Sequence, residues 1–191
     1  QRKLPMNQRQ QIIEWLRADP YRMQALSFAR ELRLNQWCLA AGFVRNLVWD
    51  KLHGHPSPTP LNDIDLVYFD EQNTHEQHDL QLEEQLNHTT AARRQSFPWS
   101  VKNQARMHRR SGRQPYTSTE DAISYWVEVE TAIGASLKEN GDIELVTPFS
   151  LDALFSKTIT LNSKNGEIET YYQRVNSKGW QQHWPELRLV V

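Results

Sequence analysis

The chain is short of cysteine, of net charge and of long apolar runs, and each shortage excludes something. Cys38 is the single cysteine among 191 residues, so neither an internal disulfide nor a multi-cysteine zinc site can form, as suits a reducing cytoplasm. It falls in the apolar stretch from Trp37 to Ala41 and is expected to behave as a small buried hydrophobe. A formal net charge of −1 removes any global pull toward nucleic acid or an anionic membrane, so partners must be recognised by local patches. No segment approaches the roughly eighteen apolar residues of a membrane span, and no secretory apolar region is evident. A soluble cytoplasmic protein is therefore expected. Internal repeats and low-complexity tracts are missing too. The length suits one α/β domain over 1–191, with a helical extension over 1–35, a core over 36–147, and a C-terminal helix and aromatic-rich segment over 148–191.

What is there concentrates between Leu39 and Asp70. Leu39-Ala40-Ala41 reads as a strand that turns through Gly42 into a helix over Phe43 to Leu52. Glycine lets backbone approach a ligand closely, and the free N–H groups of a helix start bind anions. Arg45, in the first turn, would add a charge-assisted contact. Asp63 to Phe69 reads as a second strand. Residues i and i+2 on a strand share a face about 6.5 to 7 Å apart, so Asp63 and Asp65 project together and Ile64 points away. Mg²⁺ is usually held by one or two carboxylates together with substrate phosphates. Beyond the acids, Val67 and Phe69 continue the carboxylate face while Leu66 and Tyr68 fill the other, as in a central strand buried on both sides. An isolated Asp-x-Asp is also how ordinary solvated strands begin; the pairing with a glycine turn about twenty residues earlier is what suggests a site.

Around this unit the spacing predicts a helix from Asn7 carrying Ile12, Ile13, Trp15 and Leu16, then a stop at Asp19-Pro20, where Asp19 caps a second helix. The run Gly54-His55-Pro56-Ser57-Pro58-Thr59-Pro60 predicts a stiff extended crossover. Glu76 to Leu86 predicts a polar helix burying Leu80, Leu82 and Leu86. His53, His55, His75 and His78 lie in polar surroundings with no nearby cysteine, and nothing in their spacing demands a metal. Phe97 to Asn103 predicts a strand beside the acidic one, leading into a helix with Ala105, Met107 and His108. A helix capped at Thr117-Ser118-Thr119 and a hairpin of Ala132–Leu137 with Ile143–Val146 about Asn140-Gly141 follow. Ser150 should cap a short helix over Leu151 to Phe155, and Lys164-Asn165-Gly166 marks a turn. The end, with Tyr171, Tyr172, Trp180 and Trp184, reads as an aromatic lid in which Tyr172 or Trp180 is available to stack on a base.

Ala41-Gly42-Phe43-Val44-Arg45-Asn46 together with Asn62-Asp63-Ile64-Asp65 resembles the signature of nucleotidyltransferases of the polymerase-β superfamily. The segments Val101 to His108, Tyr116 to Ile123, Thr131 to Gly134, and Trp180 with Trp184-Pro185 resemble one bacterial nucleotidyltransferase-like family of unknown function within it, over most of the chain from about Trp37 onward. The resemblance implies an α/β fold with a small mixed sheet flanked by helices. It also implies Mg²⁺- or Mn²⁺-dependent transfer of a nucleoside monophosphate from a nucleoside triphosphate to a hydroxyl acceptor: a small molecule, a protein side chain or a nucleic-acid end. Asp63 and Asp65 would be the catalytic and metal-holding acids. Gly42, Phe43, Arg45 and Asn46 would hold the nucleotide, with Lys102 and Arg106 as the cations chosen from the basic stretch that also includes Arg93, Arg94, Arg109, Arg110 and Arg113.

One departure stands out. In the superfamily a third carboxylate usually stands on the strand next to the acidic one, and Phe97 to Asn103 has none, offering Ser100 and Lys102 instead. Glu128, Glu130 and Glu144 are the acids available to replace it. The departure keeps open a non-catalytic nucleotide-binding or sensing protein, and the basic stretch over 93–113 keeps open a nucleic-acid-binding protein.

Overall fold

The computed structural model describes residues 6–94 and 96–191; the first five residues of the expected N-terminal extension lie outside them. Asn7 caps α1 (Gln8–Arg17), its side chain accepting from the Gln10 N–H while Gln10 reaches back to the Asn7 N–H. Asp19 caps α2 (Pro20–Glu31), with proline in the first turn, as expected. Asp19 also pairs with buried Arg22 at 2.7 Å, and Arg22 Nε donates to the Phe43 carbonyl at 2.7 Å. The helical entry unit is thereby fixed to the glycine-turn helix.

The main sheet has five strands in the order β3-β2-β1-β4-β5. They are β1 (Cys38–Ala40), β2 (Ile64–Tyr68), β3 (Trp99–Asn103), β4 (Gly134–Leu137) and β5 (Ile143–Val146). β2 and β3 run parallel, joined by a crossover that contains α4 (Glu76–Ala92). β1 is antiparallel to both β2 and β4, and β4 to β5. The sheet is mixed, and β2 is interior.

The period of two sorts the sheet's faces. Leu39, Ile64, Leu66, Tyr68, Val101, Ala135 and Leu137 lie in one hydrophobic cluster with residues of α1, α2, α3 (Gly42–Leu52) and α4. The opposite face carries Ala40, Asp65, Val67, Ser100 and Lys102, which cross-strand register brings together: Ala40 opposite Asp65, Asp65 opposite Ser100, and Val67 opposite Lys102. A small apolar group of Cys38, Ala40, Val67 and Ile123 covers part of that face, with Ile123 supplied by α5 (Thr119–Ile123). Cys38 is buried as expected, and burial pushes its thiol up to about 12. The rest of the face is open.

Several elements differ from expectation. Leu80 is exposed, not buried, because the inward row of α4 is Asp79, Leu82, Leu86 and Thr90. Asp79 is drawn in by polar partners, accepting from the Tyr68 hydroxyl and the Asn103 N–H. After β3 the chain winds as a 3-10 helix over Gln104–Ser111, begun by Asn103 accepting from the Ala105 N–H. The expected helix at Leu151 to Phe155 is only a 3-10 turn over Leu154–Ser156. The C-terminal aromatic stretch forms α6 (Ile168–Lys178), α7 (Trp180–His183) and β7 (Arg188–Val190), which pairs in parallel with β6 (Thr158–Thr160). No helix among the described residues is long and apolar enough to cross a membrane.

Candidate functional site

Asp65 stands on β2 half-buried, with exposed Asp63 just before the strand. Neither carboxylate forms a hydrogen bond or an ion pair among the described residues. Burial raises the Asp65 carboxyl above its ordinary value, the Asp63 charge raises it further, and Lys102, Arg45 and Lys178 pull it back. Two unpaired anions on one face therefore look out beside the start of α3.

Ala41, between β1 and α3, has φ 56° and ψ −125°, a left-handed conformation that costs a non-glycine residue roughly 1 kcal/mol or more. It is held there by donating to the Ile133 carbonyl at 3.1 Å. The turn aims the start of α3 across the acidic face. Gly42 and Phe43 are the first two helical residues, so their N–H groups have no acceptor within the helix. A Cβ on Gly42 would come within 3.2 Å of both Arg45 Nη2 and Asn46 Nδ2, so a larger residue here presses on the two side chains beside the cradle.

Arg45 lies under the cradle. Its guanidinium donates to Thr131 Oγ1 at 2.9 Å and to Asn46 Oδ1 at 3.2 Å and rests on the ring of Trp180, centroid 4.7 Å away. Burial pushes it down to about 10, with the Glu128 charge opposing, so it remains a cation at neutral pH.

Two clefts meet at this point. The larger, about 910 Å³, contains Gly42, Arg45, Asn46, Asp63, Asp65 and Lys102, and is walled by Thr59 to Asn62 of the proline-rich crossover and by Arg174, Lys178 and the 179–184 segment. The smaller, about 420 Å³, lies on the other side of Asp65 and is lined by Met107, Arg110, Arg113, Tyr116, Tyr125 and Trp126, among others. Ala41, Asp65, Lys102 and Arg174 border both.

The expected site residues divide accordingly. Gly42, Arg45, Asn46, Asp63, Asp65 and Lys102 come together, with Phe43 contributing backbone. Arg106 lies elsewhere: it forms an ion pair with buried Asp79 of α4. The basic stretch divides: Arg93 lies over the Phe28 ring, whereas Lys102, Arg110 and Arg113 line the smaller cleft, Arg113 over the Tyr125 ring. The candidate substitutes for the third acid are all engaged. Glu128 binds Arg174 at 2.7 Å and accepts from Thr131. Glu130 accepts from Thr158 and Thr160. Glu144 is exposed on β5, 3.7 Å from Lys138.

Sequence reading missed Arg174 and Lys178. They lie four apart on α6 and so share a helix face, but that face could not be assigned before α6 was placed. It also missed what builds the far wall. The buried Asp50 carboxylate accepts from the Thr59 N–H at 2.7 Å, the Thr59 hydroxyl at 2.5 Å and Trp184 Nε1 at 2.9 Å. The Thr59 oxygen is in turn 2.6 Å from His183 Nε2. Asp50, His55 and His183 present potential metal-ligating atoms within 4.8 Å of one another, but the Thr59 hydroxyl bridges Asp50 and His183, so the group is knit by hydrogen bonds. Trp180 and Trp184 pack edge-on against Trp49, centroids 5.7 and 5.1 Å away. Trp180 therefore has its ring in the wall, and Tyr172 stands exposed on α6.

Comparison with known proteins shows the family and the fold. The family model described as nucleotidyltransferase matches residues 27–189. A solution NMR structure described as revealing a CCA-adding enzyme head domain is 32% identical, with a TM-score of 0.81, covering 96% of this chain and 95% of that one. A complex of a CCA-adding enzyme with CTP is 14% identical with a TM-score of 0.56, and a tRNA-processing enzyme complex is 15% identical with a TM-score of 0.52. This chain aligns with 42% of each of those two longer chains, a likeness of fold alone. No curated protein matches the chain.

Proposed function

The chain belongs to the nucleotidyltransferase family, and from that premise we propose that it transfers a nucleoside monophosphate from a nucleoside triphosphate to a hydroxyl-bearing acceptor, with a divalent cation. The observation that carries this reading is the pair of unpaired carboxylates, Asp63 and Asp65, facing the amino end of α3 across one cleft. The donor set fits a hard cation: two oxygen ligands with no competing partner, one of them reluctant to ionise alone. Asp63 and Asp65 would hold Mg²⁺ or Mn²⁺, which supplies charge neutralisation to the phosphate oxygens.

The chain's own groups do the rest. Gly42 and Phe43 N–H groups bind phosphate oxygens at the positive end of α3. Arg45, fixed by Thr131 and Trp180, is preorganised beside them, so little is lost in ordering it. Lys178, Arg174 and Lys102 add cations around the same cleft. In the reaction the acceptor oxygen forms a bond to the α-phosphorus and the bond to the bridging oxygen breaks. Pyrophosphate leaves with that electron pair, and the acceptor's proton passes to water.

The test is calorimetric titration with each of the four ribonucleoside triphosphates in Mg²⁺, beside the double variant Asp63→Asn/Asp65→Asn. Cation-dependent binding that the variant loses by about 100-fold or more is expected. Absence of binding to the folded wild-type protein would overturn the reading. A second reading, a nucleotide sensor without turnover, is favoured by Ser100 and Lys102 standing on β3 where no acid is present; a sensor would bind nucleotide and release no pyrophosphate.

A further inference from the structure

The smaller cleft lies beside the one that holds the start of α3 and opens onto the same carboxylate, Asp65. We propose that it is the acceptor site, and that the acceptor is a phosphorylated small molecule of mononucleotide size carrying a planar ring; this rests on the transferase reading above.

Geometry is the first argument. Displacement at phosphorus brings the entering and leaving oxygens roughly into line on opposite sides. If pyrophosphate leaves into the cradle at the start of α3, the entering hydroxyl must come from the other side of Asp65, where the smaller cleft lies. The larger cleft, at about 910 Å³, has room for a whole nucleoside triphosphate, so the donor does not need the second space. At about 420 Å³ the smaller cleft is in the range that encloses small ligands.

Charge is the second. Lys102, Arg110 and Arg113 line the smaller cleft, and none of them makes an ion pair among the described residues. Asp65 is the one carboxylate among the lining residues. Neither arginine has a carboxylate partner among the described residues, and the planar guanidinium fork suits phosphate.

The ring surface of the cleft points to a planar ligand. Tyr125 is already occupied: Tyr116 stacks on it at 5.3 Å, and Arg113 and Lys164 lie 4.8 and 4.2 Å from its centroid. Trp126 is different. It rests on the Cys38, Ala40, Val67 and Ile123 group, lines the cleft half-exposed, and carries no ring or cation among the described residues. A stacked heterocycle on such a ring is worth about 1–3 kcal/mol.

The experiment titrates the protein with AMP and with UMP, each alone and in the presence of a saturating non-hydrolysable triphosphate, α,β-methylene-ATP, with Mg²⁺. Both ligands are expected to occupy the protein together. Arg110→Ala/Arg113→Ala should weaken monophosphate binding by about tenfold or more and leave the triphosphate affinity in place, while Asp63→Asn does the reverse. Trp126→Leu provides a second, independent loss; if that variant does not fold, the arginine pair still decides. Displacement of the monophosphate by the triphosphate would make this cleft the donor's base pocket and overturn the proposal. So would binding of a short RNA without binding of either monophosphate, or indifference of monophosphate binding to the arginine pair. If instead the triphosphate fails to bind while the monophosphate binding depends on Arg110 and Arg113, the transferase reading falls and the cleft keeps its ligand.

Discussion

At Asp65 the demands of stability and of function oppose each other. Burial and the neighbouring Asp63 raise its carboxyl, so the folded protein holds that proton more tightly than the unfolded chain does. The linked stability is present in full below the ordinary carboxylate value near 3.8, and is lost as pH rises through the raised folded value. At neutral pH an ionised Asp65 is therefore a cost to the fold. Asp65→Asn should melt at a higher temperature than wild type at pH 7, with the advantage shrinking as pH falls through the raised folded value and gone below about 4, and should lose cation-dependent nucleotide binding. Paired thermal melts at pH 7 and pH 3.5 check it; an unchanged or lowered melting temperature at pH 7 would mean that the carboxylate is not strained in the way described.

At the scale of elements, Asp50 joins pieces that sequence keeps apart. It ends the buried face of α3, fixes Thr59 of the crossover and reaches Trp184, 134 positions away. Asp50→Ala leaves the Thr59 N–H, the Thr59 hydroxyl and the Trp184 indole without their acceptor, at a cost of about 2–4 kcal/mol. The wall of the larger cleft should loosen with it, so triphosphate affinity falls although Asp50 touches no phosphate. Hydrogen exchange over 55–62 and 179–187 reads this directly; protection that stays at wild-type level would show that the network does not hold the wall. This also shows where sequence reading reaches its limit. The glycine turn, the Asp-x-Asp strand, the Asp19-Pro20 break and the Asn140-Gly141 hairpin were legible because each is set by neighbours within a few residues. Asp50 to Trp184, Arg106 to Asp79 and Glu130 to Thr160 were not, because polar side chains choose partners by tertiary proximity and leave no periodic trace. Leu80 misled for a related reason: α4 turns Asp79 inward to meet Tyr68 and Asn103, and the leucine beside it faces water.

For the molecule as a whole, a net charge of −1 conceals a local excess of cations around Asp65. Lys102, Arg174 and Lys178 border the larger cleft, and Lys102, Arg110 and Arg113 the smaller. A field confined to a cleft in a nearly neutral protein acts over a short range. The Debye length falls from about 10 Å at 0.1 M salt to about 3 Å at 1 M, so triphosphate affinity should weaken clearly over that interval. Titrations at the two ionic strengths test this, and an affinity that did not change would leave Lys102, Arg174 and Lys178 without a part in triphosphate recognition. The larger cleft is also distributed along the chain in a particular way. Its cradle and acids come from residues 41–65, while the opposite wall comes from 174–184. During synthesis on the ribosome the early part can emerge and begin to fold with its carboxylates in place, but the pocket has only one side until the stretch through Trp184 has left the exit tunnel. On the proposed reading, nucleotide capture therefore awaits the emergence of that second wall, and a nascent chain interrupted before Arg174 would carry the motif without the wall that faces it.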